Sequence, residues 1–167
     1  MGRNGISRVR RGASRGFTLV EILIVVVILG ILAALVVPGM AGVAKQAEQA
    51  AFIREVKTYA DAAMVFRVRT GGFLEAPGPG LVPTGFADYV DESDWIRPTP
   101  IGGLWDCLLN DLGIVAAIGV NFGEEAPNDE YMIEIDRTFD DGNLDAGMFR
   151  KLADGQFCYV IEDVIED

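Results

Sequence analysis

The chain has 167 residues, of which 14 are basic, 25 are acidic and none is histidine, so its formal net charge is −11. This length supports one modest globular domain beside a long helix. The excess of acidic residues argues against nucleic-acid binding through phosphate contacts. The lack of histidine removes the commonest general base and the commonest transition-metal ligand, and the sequence contains no P-loop, dinucleotide fingerprint or nucleophile elbow. We therefore expect a protein that is not an enzyme.

The N-terminal part of the chain combines a basic leader with an apolar run. Residues 1–16 carry five arginines and no acid, and residues 17–37 are apolar except for Thr18 and Glu21. As a helix, this run would be about 31 Å long, enough to cross the hydrocarbon core of a bilayer. The preceding arginines place the N-terminus in the cytoplasm and the remainder outside. A carboxylate so early in such a segment is expensive and needs a partner.

The segment GFTLVE, residues 16–21, resembles the processing signal of type IV pilins and type II secretion pseudopilins. The resemblance implies that a prepilin peptidase cuts after Gly16 and methylates the new N-terminus, Phe17. It also implies that Glu21 orders the subunit in a helical filament. Cleavage would remove the five leader arginines, so the mature chain would keep nine basic and 25 acidic residues, a formal charge of −16.

Two other interpretations of the N-terminus exist. A secretory signal peptide also has a basic start and an apolar core, but it needs a small-residue cut site after the core. Residues 33–34 and 39–41 are weak candidates for such a site. The other alternative is a plain membrane anchor. Because Glu21 interrupts a secretory core where the resemblance expects an acid, we predict prepilin-type processing.

The helical pattern continues beyond the apolar run. Residues 41–69 are rich in good helix formers, and apolar residues recur near helical spacing, so we predict an amphipathic half of the same helix over residues 38–70. Thr70-Gly71-Gly72 is the predicted end. Pro38 separates the two halves and predicts a kink just outside the membrane. In the pilins that the chain resembles, a proline at this spacing marks a segment that curves or unwinds in the filament, which implies a role for Pro38 in assembly.

The globular domain is predicted to comprise residues 71–167. A loop-rich section, residues 71–100, is expected to be pinned to the core by Phe86, Tyr89, Trp95 and Ile96. Beyond it, alternating and apolar runs predict an antiparallel sheet with one buried face. Predicted strands lie at 104–107, 114–120, 131–135 and 157–162, with a turn at 110–113 and a short helix at 147–153. The predicted fold class is α+β, a long N-terminal helix packed on a small C-terminal antiparallel sheet, which is also the layout of the pilins.

Cys107 and Cys158 are the only cysteines. If the C-terminal part is translocated to an oxidising space, an even pair predicts a disulfide. Such a bridge would close a loop of about 50 residues and contribute roughly 3–4 kcal/mol. The alternative is two buried free thiols that act as small apolar residues.

An acidic segment surrounds Gly142, and its oxygen-bearing side chains are Asp136, Asp140, Asp141, Asn143 and Asp145. Oxygen ligands at this density suit calcium, and major pseudopilins, as a family, bind calcium in a C-terminal loop. The spacing is not that of an EF-hand. The alternative is a simple turn in which Asp141-Gly142-Asn143 reverses the chain.

We therefore expect a structural subunit that is inserted in the inner membrane and then assembled into a periplasmic or cell-surface filament. The expected partners are copies of itself, other pilin-like subunits, the prepilin peptidase and the inner-membrane assembly machinery, with no nucleic acid contacted directly. The resemblance implies a type II secretion pseudopilus that serves protein export. The alternatives are a major or minor type IV pilin, serving adhesion, motility or DNA uptake, a membrane-anchored enzyme or binding domain, and a secreted soluble domain. No cofactor other than calcium is expected.

Overall fold

A computed structural model describes residues 16–111 and 113–163, without the side chains of residues 35–41. In chain order the elements are α1 (Leu19–Thr70), a 3-10 helix (Phe86–Asp88), α2 (Glu92–Trp95), β1 (Leu104–Asp111), β2 (Ile114–Asn121), α3 (Asp129–Phe139), β3 (Phe149–Ala153) and β4 (Gln156–Asp163). The long N-terminal helix and the four-stranded antiparallel sheet confirm the predicted α+β class. Residues 1–15 of the leader lie outside the described residues.

The chain divides into two compact units, residues 1–43 and 44–167, and α1 contributes to both. In the first unit, every large apolar side chain from Phe17 to Leu32 is at least half exposed. Over the described residues, none of the helices has a stretch both long and apolar enough to qualify as a membrane crossing. The predicted membrane-spanning segment, 17–37, ends in residues whose side chains are not described, and the side chain of Pro38 is likewise outside the description. The membrane-spanning segment and the kink at Pro38 therefore stay predictions.

In the second unit the sheet has the strand order β1-β2-β4-β3, and all neighbours are antiparallel. The hairpin between β1 and β2 turns where the sequence predicts it. Asn110 adopts a φ of 51° and Gly113 a φ of 81°, left-handed conformations that asparagine and glycine tolerate best. The strand order β1-β2-β4-β3 places β1 and β3 at the two edges of the sheet.

Aromatic rings join α1 to one face of the sheet. Phe52 of α1 stacks on Trp105 of β1 with 5.6 Å between ring centroids, and Tyr59 meets Trp105 edge-on at 4.8 Å. Trp95 and Phe86 of the predicted loop-rich section, residues 71–100, are fully buried in the same cluster. Rings of this size dominate the burial energy of a small core. Ile96, which we predicted to pin this section, is instead 57% exposed.

The predicted strand at 131–135 is wrong, because these residues belong to α3. The side chain of Asn128 caps the helix by accepting a hydrogen bond from the Tyr131 amide at 3.0 Å. Met132 and Ile135 are buried three residues apart, which is helical spacing. The alternation that favoured a strand covered only five residues, and the capping asparagine was the signal that decides between the two periods.

The predicted short helix at 147–153 is also wrong, because residues 149–153 form strand β3. β3 pairs with β4, and Ala153 faces Gln156 across a turn made by Asp154 and Gly155. Gly155 has a φ of 77°. An Asp-Gly pair between two strands is among the strongest hairpin signals, and it was overlooked.

The predicted disulfide between Cys107 and Cys158 is not formed, and both thiols are free and buried. Cys107 lies in β1 and Cys158 in β4, with β2 between them. Two strand spacings amount to about 10 Å, beyond the reach of a disulfide. The two side chains also belong to different buried clusters, Cys107 to the one that contains α1 and Cys158 to a smaller one with Leu108 and Val160. The alternative of two buried thiols describes this fold.

Candidate functional site

The N-terminal motif forms a complete cap at the start of α1. The hydroxyl of Thr18 accepts a hydrogen bond from the Glu21 amide at 3.2 Å. In return, the Glu21 carboxylate accepts one bond from the Thr18 amide and one from the Thr18 hydroxyl, each 2.8 Å long. This reciprocal arrangement is a capping box, which satisfies donors that a helix start leaves unpaired. The motif Thr-x-x-Glu before an apolar run signals this capping box, which the resemblance, with its role for Glu21 in ordering the filament, did not predict.

The predicted cleavage site lies just outside this cap. Gly16 and Phe17 precede the first helical residue, and Phe17 is 82% exposed. Apart from Gly16 itself and its two chain neighbours, no described atom lies within 4 Å of the position that a Cβ on Gly16 would take. The peptide bond between Gly16 and Phe17 is thus accessible, and the cap fixes where the helix begins after it.

The acidic segment begins in the last turn of α3 and continues into the loop after it, and it brings three carboxylates together. One carboxylate oxygen from each of Asp136, Asp140 and Asp141 lies within 4.8 Å of the other two. We call these three residues the carboxylate cluster. Asp136 belongs to the last turn of α3, and Asp140 ends that helix with its amide bonded to the Asp136 carbonyl at 2.6 Å. The helix end therefore sets the spacing of the cluster.

The two other predicted ligands have different roles. The side-chain oxygen of Asn143 accepts a hydrogen bond from the Asp145 amide at 3.2 Å. Asp141 in turn accepts one from the Asn143 amide at 2.8 Å. These bonds form successive turns, so the turn that we considered as an alternative is present beside the cluster. Asp145 is exposed and does not belong to the cluster.

Residues 11–37 match the family model described as the prokaryotic N-terminal methylation motif. Over 99 residues the chain is 38% identical to the type II secretion system core protein G of Klebsiella michiganensis, a match that covers 54% of this chain and 68% of that protein. The chain belongs to the type II secretion pseudopilin family. No solved structure is detectably similar to this pseudopilin.

Asp136 is the unusual member of the pseudopilin's carboxylate cluster. Its side chain is fully buried, and neither carboxylate oxygen has a hydrogen-bond partner among the described residues. Burial raises the pKa of Asp136, and the charges of Asp141 and Asp140 raise it further, while the nearby amides of Gly142 and Asn143 act in the opposite direction. A buried carboxylate that lacks a counter-charge, with only these amides near it, is strongly unfavourable.

A bound cation would remove this cost. In the described part of the pseudopilin, no lysine or arginine forms an ion pair with any of the three carboxylates. Calcium takes six to eight oxygen ligands in flexible geometry, and carboxylates, backbone carbonyls and waters all serve. The orphaned oxygens of Asp136, beside the exposed carboxylates of Asp140 and Asp141, fit such an ion.

The loop that carries the cluster is tied to the sheet. The Met148 amide donates a hydrogen bond to the Asp140 carboxylate, and the Met148 carbonyl accepts one from the Val160 amide of β4 at 2.7 Å. The Lys151 amide of β3 bonds to the Leu144 carbonyl at 2.8 Å. A cation held at the cluster would therefore stabilise the connection between α3 and the β3-β4 edge.

Proposed function

We propose that this protein is a structural subunit of a type II secretion pseudopilus, made as a precursor and assembled into a helical filament. The observation that carries this proposal is the exposed Gly16-Phe17 bond directly before a capped helix whose apolar side chains from Phe17 to Leu32 are unburied. In this proposal a prepilin peptidase cleaves that bond and methylates Phe17. The relative in Klebsiella michiganensis, a type II secretion core protein, favours a pseudopilus over a type IV pilus.

The apolar half of α1 would hold the precursor in the inner membrane, with its N-terminus in the cytoplasm and the globular unit outside. Copies of itself, other pilin-like subunits and the inner-membrane assembly machinery are the proposed partners. Bilayer or neighbouring helices would cover the exposed apolar side chains, since soluble proteins rarely leave so large a patch uncovered. We assign Pro38 to this assembled state, as a point where α1 adapts to its neighbours.

Within the filament, we propose that Glu21 of one subunit pairs with the Phe17 amine of its neighbour. Cleavage creates that amine, and methylation leaves it cationic. The pairing would occur in a low-dielectric bundle, where it rewards one axial register and penalises others. In the described precursor, the Glu21 carboxylate is instead held by Thr18, so assembly would exchange an internal partner for an external one.

Three substitutions separate the capping role of Glu21 from the pairing role. Glu21→Gln keeps an oxygen that can cap Thr18 but removes the charge, whereas Glu21→Ala removes both. Thr18→Val removes the capping hydroxyl and leaves the carboxylate. We expect all three precursors to insert in the membrane, both Glu21 variants to fail at filament entry, and Thr18→Val to assemble. Normal assembly of Glu21→Gln, measured as sheared filament per cell, would show that capping alone is required.

We propose further that Asp136, Asp140 and Asp141 hold a calcium ion that stabilises the globular unit. The support is the pair of unpartnered oxygens on Asp136 and their closeness to two exposed carboxylates. The ion would supply positive charge to a buried group and would perform no chemistry. The Discussion develops the test.

A further inference from the structure

The basic residues of the mature chain are few, and nearly all of them are engaged within the fold. All nine lie in the described part of the chain. Five form ion pairs with carboxylates: Lys45, Arg67, Arg97, Arg150 and Lys151. Of the remaining four, Lys57 lies 4.7 Å from the Phe139 ring centre and Arg69 lies 5.6 Å from that of Tyr89, while Arg137 packs its side chain against Gly142.

Arg54 is the exposed basic residue of α1 whose charge the described fold leaves without a partner. Its side chain is exposed on α1, and among the described residues it forms no hydrogen bond, ion pair or ring contact. A mature chain with nine basic and 25 acidic residues repels its own copies. A contact between the acidic globular units is therefore favoured where a cation of one copy meets acidic groups of another. Arg54 is an exposed cation of α1 that the described fold leaves available for such a contact.

An acidic cleft opens beside the same stretch of α1. It has a volume of about 270 Å³ and is lined by Glu55, Thr58, Tyr59, Tyr89, Val90, Asp91 and Asp94. Within this cleft, Asp94 pairs with Arg97 at 2.6 Å, and Asp91 caps α2 through the Ser93 amide at 2.9 Å. The carboxylate of Glu55 has no ion pair among the described residues. The cleft thus carries more negative charge than its own cation balances.

Tyr59 supplies an independent sign that this cleft takes a polar ligand. Its side chain is only 6% exposed, yet its hydroxyl makes no hydrogen bond within the described residues. Burial raises the pKa of Tyr59 to about 12, with the charges of Glu55 and Asp94 adding to the effect, so the phenol stays neutral. The described atoms that are fully buried and unpartnered do not include this hydroxyl, so it lies at the open side of the cleft, where a ligand group can bond to it.

A guanidinium matches these groups. It presents five donors in a planar fork that suits carboxylates, and it stacks well beside aromatic rings. Arg54 does not fill the cleft of its own chain, although Thr58 lies one turn after it. Side chains on a helix point toward the helix N-terminus, which directs Arg54 away from the cleft that begins at Glu55.

We propose that the acidic cleft of one subunit receives Arg54 of a second copy of this chain. This inference rests on the proposed filament. Copies that share one orientation in a membrane meet through two different surfaces, and such heterologous contacts build open helical assemblies. Arg54 on one surface and the acidic cleft on the other are complementary in charge. Their contact would shift one copy along the axis of α1 relative to the next.

Charge reversal tests the pair in the full chain, expressed with its assembly machinery. The variants are Arg54→Glu, Glu55→Arg and the double variant, which has the composition and net charge of the parent. Lys57→Glu is the matched control, another exposed basic residue on α1, which contacts Phe139 and does not line the cleft. We expect each single reversal at the pair to reduce filament per cell about tenfold, the double variant to recover to within about threefold, and the control to stay within about twofold.

Cross-linking identifies the occupant of the cleft. Copies with Arg54→Cys and copies with Asp94→Cys, carrying different tags, should form a disulfide-linked dimer whose 54–94 peptide is confirmed by mass. Copies with Lys57→Cys should not link to Asp94→Cys. The native thiols are buried and contribute little background.

The outcomes separate the proposed filament function from the proposed contact between Arg54 and the cleft. A parent chain that forms no filament would refute the proposed function. A parent that assembles, together with an Arg54→Glu variant that assembles equally well, would refute the Arg54 contact alone. Linkage of the Asp94→Cys copies to another protein, in place of the Arg54→Cys copies, would also overturn it.

Discussion

Calcium should stabilise the folded chain through Asp136, and substitution of this residue should abolish the effect. A ligand present at one hundred times its dissociation constant adds about 2.7 kcal/mol to the free energy of unfolding. For a unit of about 120 residues, 1 kcal/mol corresponds to roughly 3–5 °C. We therefore expect millimolar calcium to raise the melting temperature by about 10 °C over a chelator-treated sample.

The effect of Asp136→Asn on stability in the absence of calcium tests the reasoning more strictly, because its expected direction is unusual for a buried residue. Asp136→Asn removes a buried charge that has no counter-ion and is repelled by Asp140 and Asp141. We expect this variant, without calcium at neutral pH, to be at least as stable as the parent. An aspartate that merely supported the fold through its own bonds would give the opposite result.

The assay is scanning calorimetry of the full chain in detergent, with calcium or with a chelator. Asp145→Asn is the matched control, because it removes an exposed acid of the same loop that lies outside the carboxylate cluster. It should keep the calcium shift. A calcium-free Asp136→Asn variant that melts well below the parent, or one that keeps the full calcium shift, would refute the reasoning.

Three further predictions follow from the interior. Phe52→Ala should lower the free energy of unfolding by about 3–5 kcal/mol in a denaturant titration, since Phe52 is fully buried against Trp105, whereas the 82% exposed Val68→Ala should change it little. Burial raises the pKa of Asp106 above its ordinary value of 3.8, so the parent should lose stability relative to Asp106→Asn as the pH rises through the range above that value; equal pH profiles would contradict this. Cys107 and Cys158 should resist maleimide until the chain is unfolded, because burial raises the pKa of both thiols, that of Cys158 to about 12; rapid labelling of native protein would count against buried thiols.

The long helix and most of the sheet were predictable because their signals are strong and local. The apolar face that buries Phe52 and Val56 recurs at helical spacing, and the glycine pair after Thr70 ends α1 where predicted. β2 and β4 are apolar or alternating runs of eight residues, long enough to identify as strands.

The wrong secondary-structure predictions lie in short segments, where the hydrophobic pattern fits both a helix and a strand. Residues 131–135 alternate like a strand and also fit a helix, and only the cap at Asn128 separates the two. β3 is marked less by its own residues than by the Asp-Gly turn after it. In both places the turn chemistry carried the information that hydrophobic periodicity lacked.

The candidate site was predictable as composition but not as geometry. The sequence places five oxygen-bearing residues around Gly142, yet only the fold separates Asp136, which is buried, from Asp145, which is exposed. The disulfide failed for the same reason. The strand order inserts β2 between Cys107 and Cys158, and spacing along the chain does not encode strand order.

The intact mass and the N-terminal peptide of the protein from its native membranes test the central proposal most directly. A mature chain that starts at Phe17 and carries one additional methyl group is the predicted result. A chain that keeps its leader, or one cut after the apolar run of residues 17–37, would contradict assembly by the pseudopilin pathway.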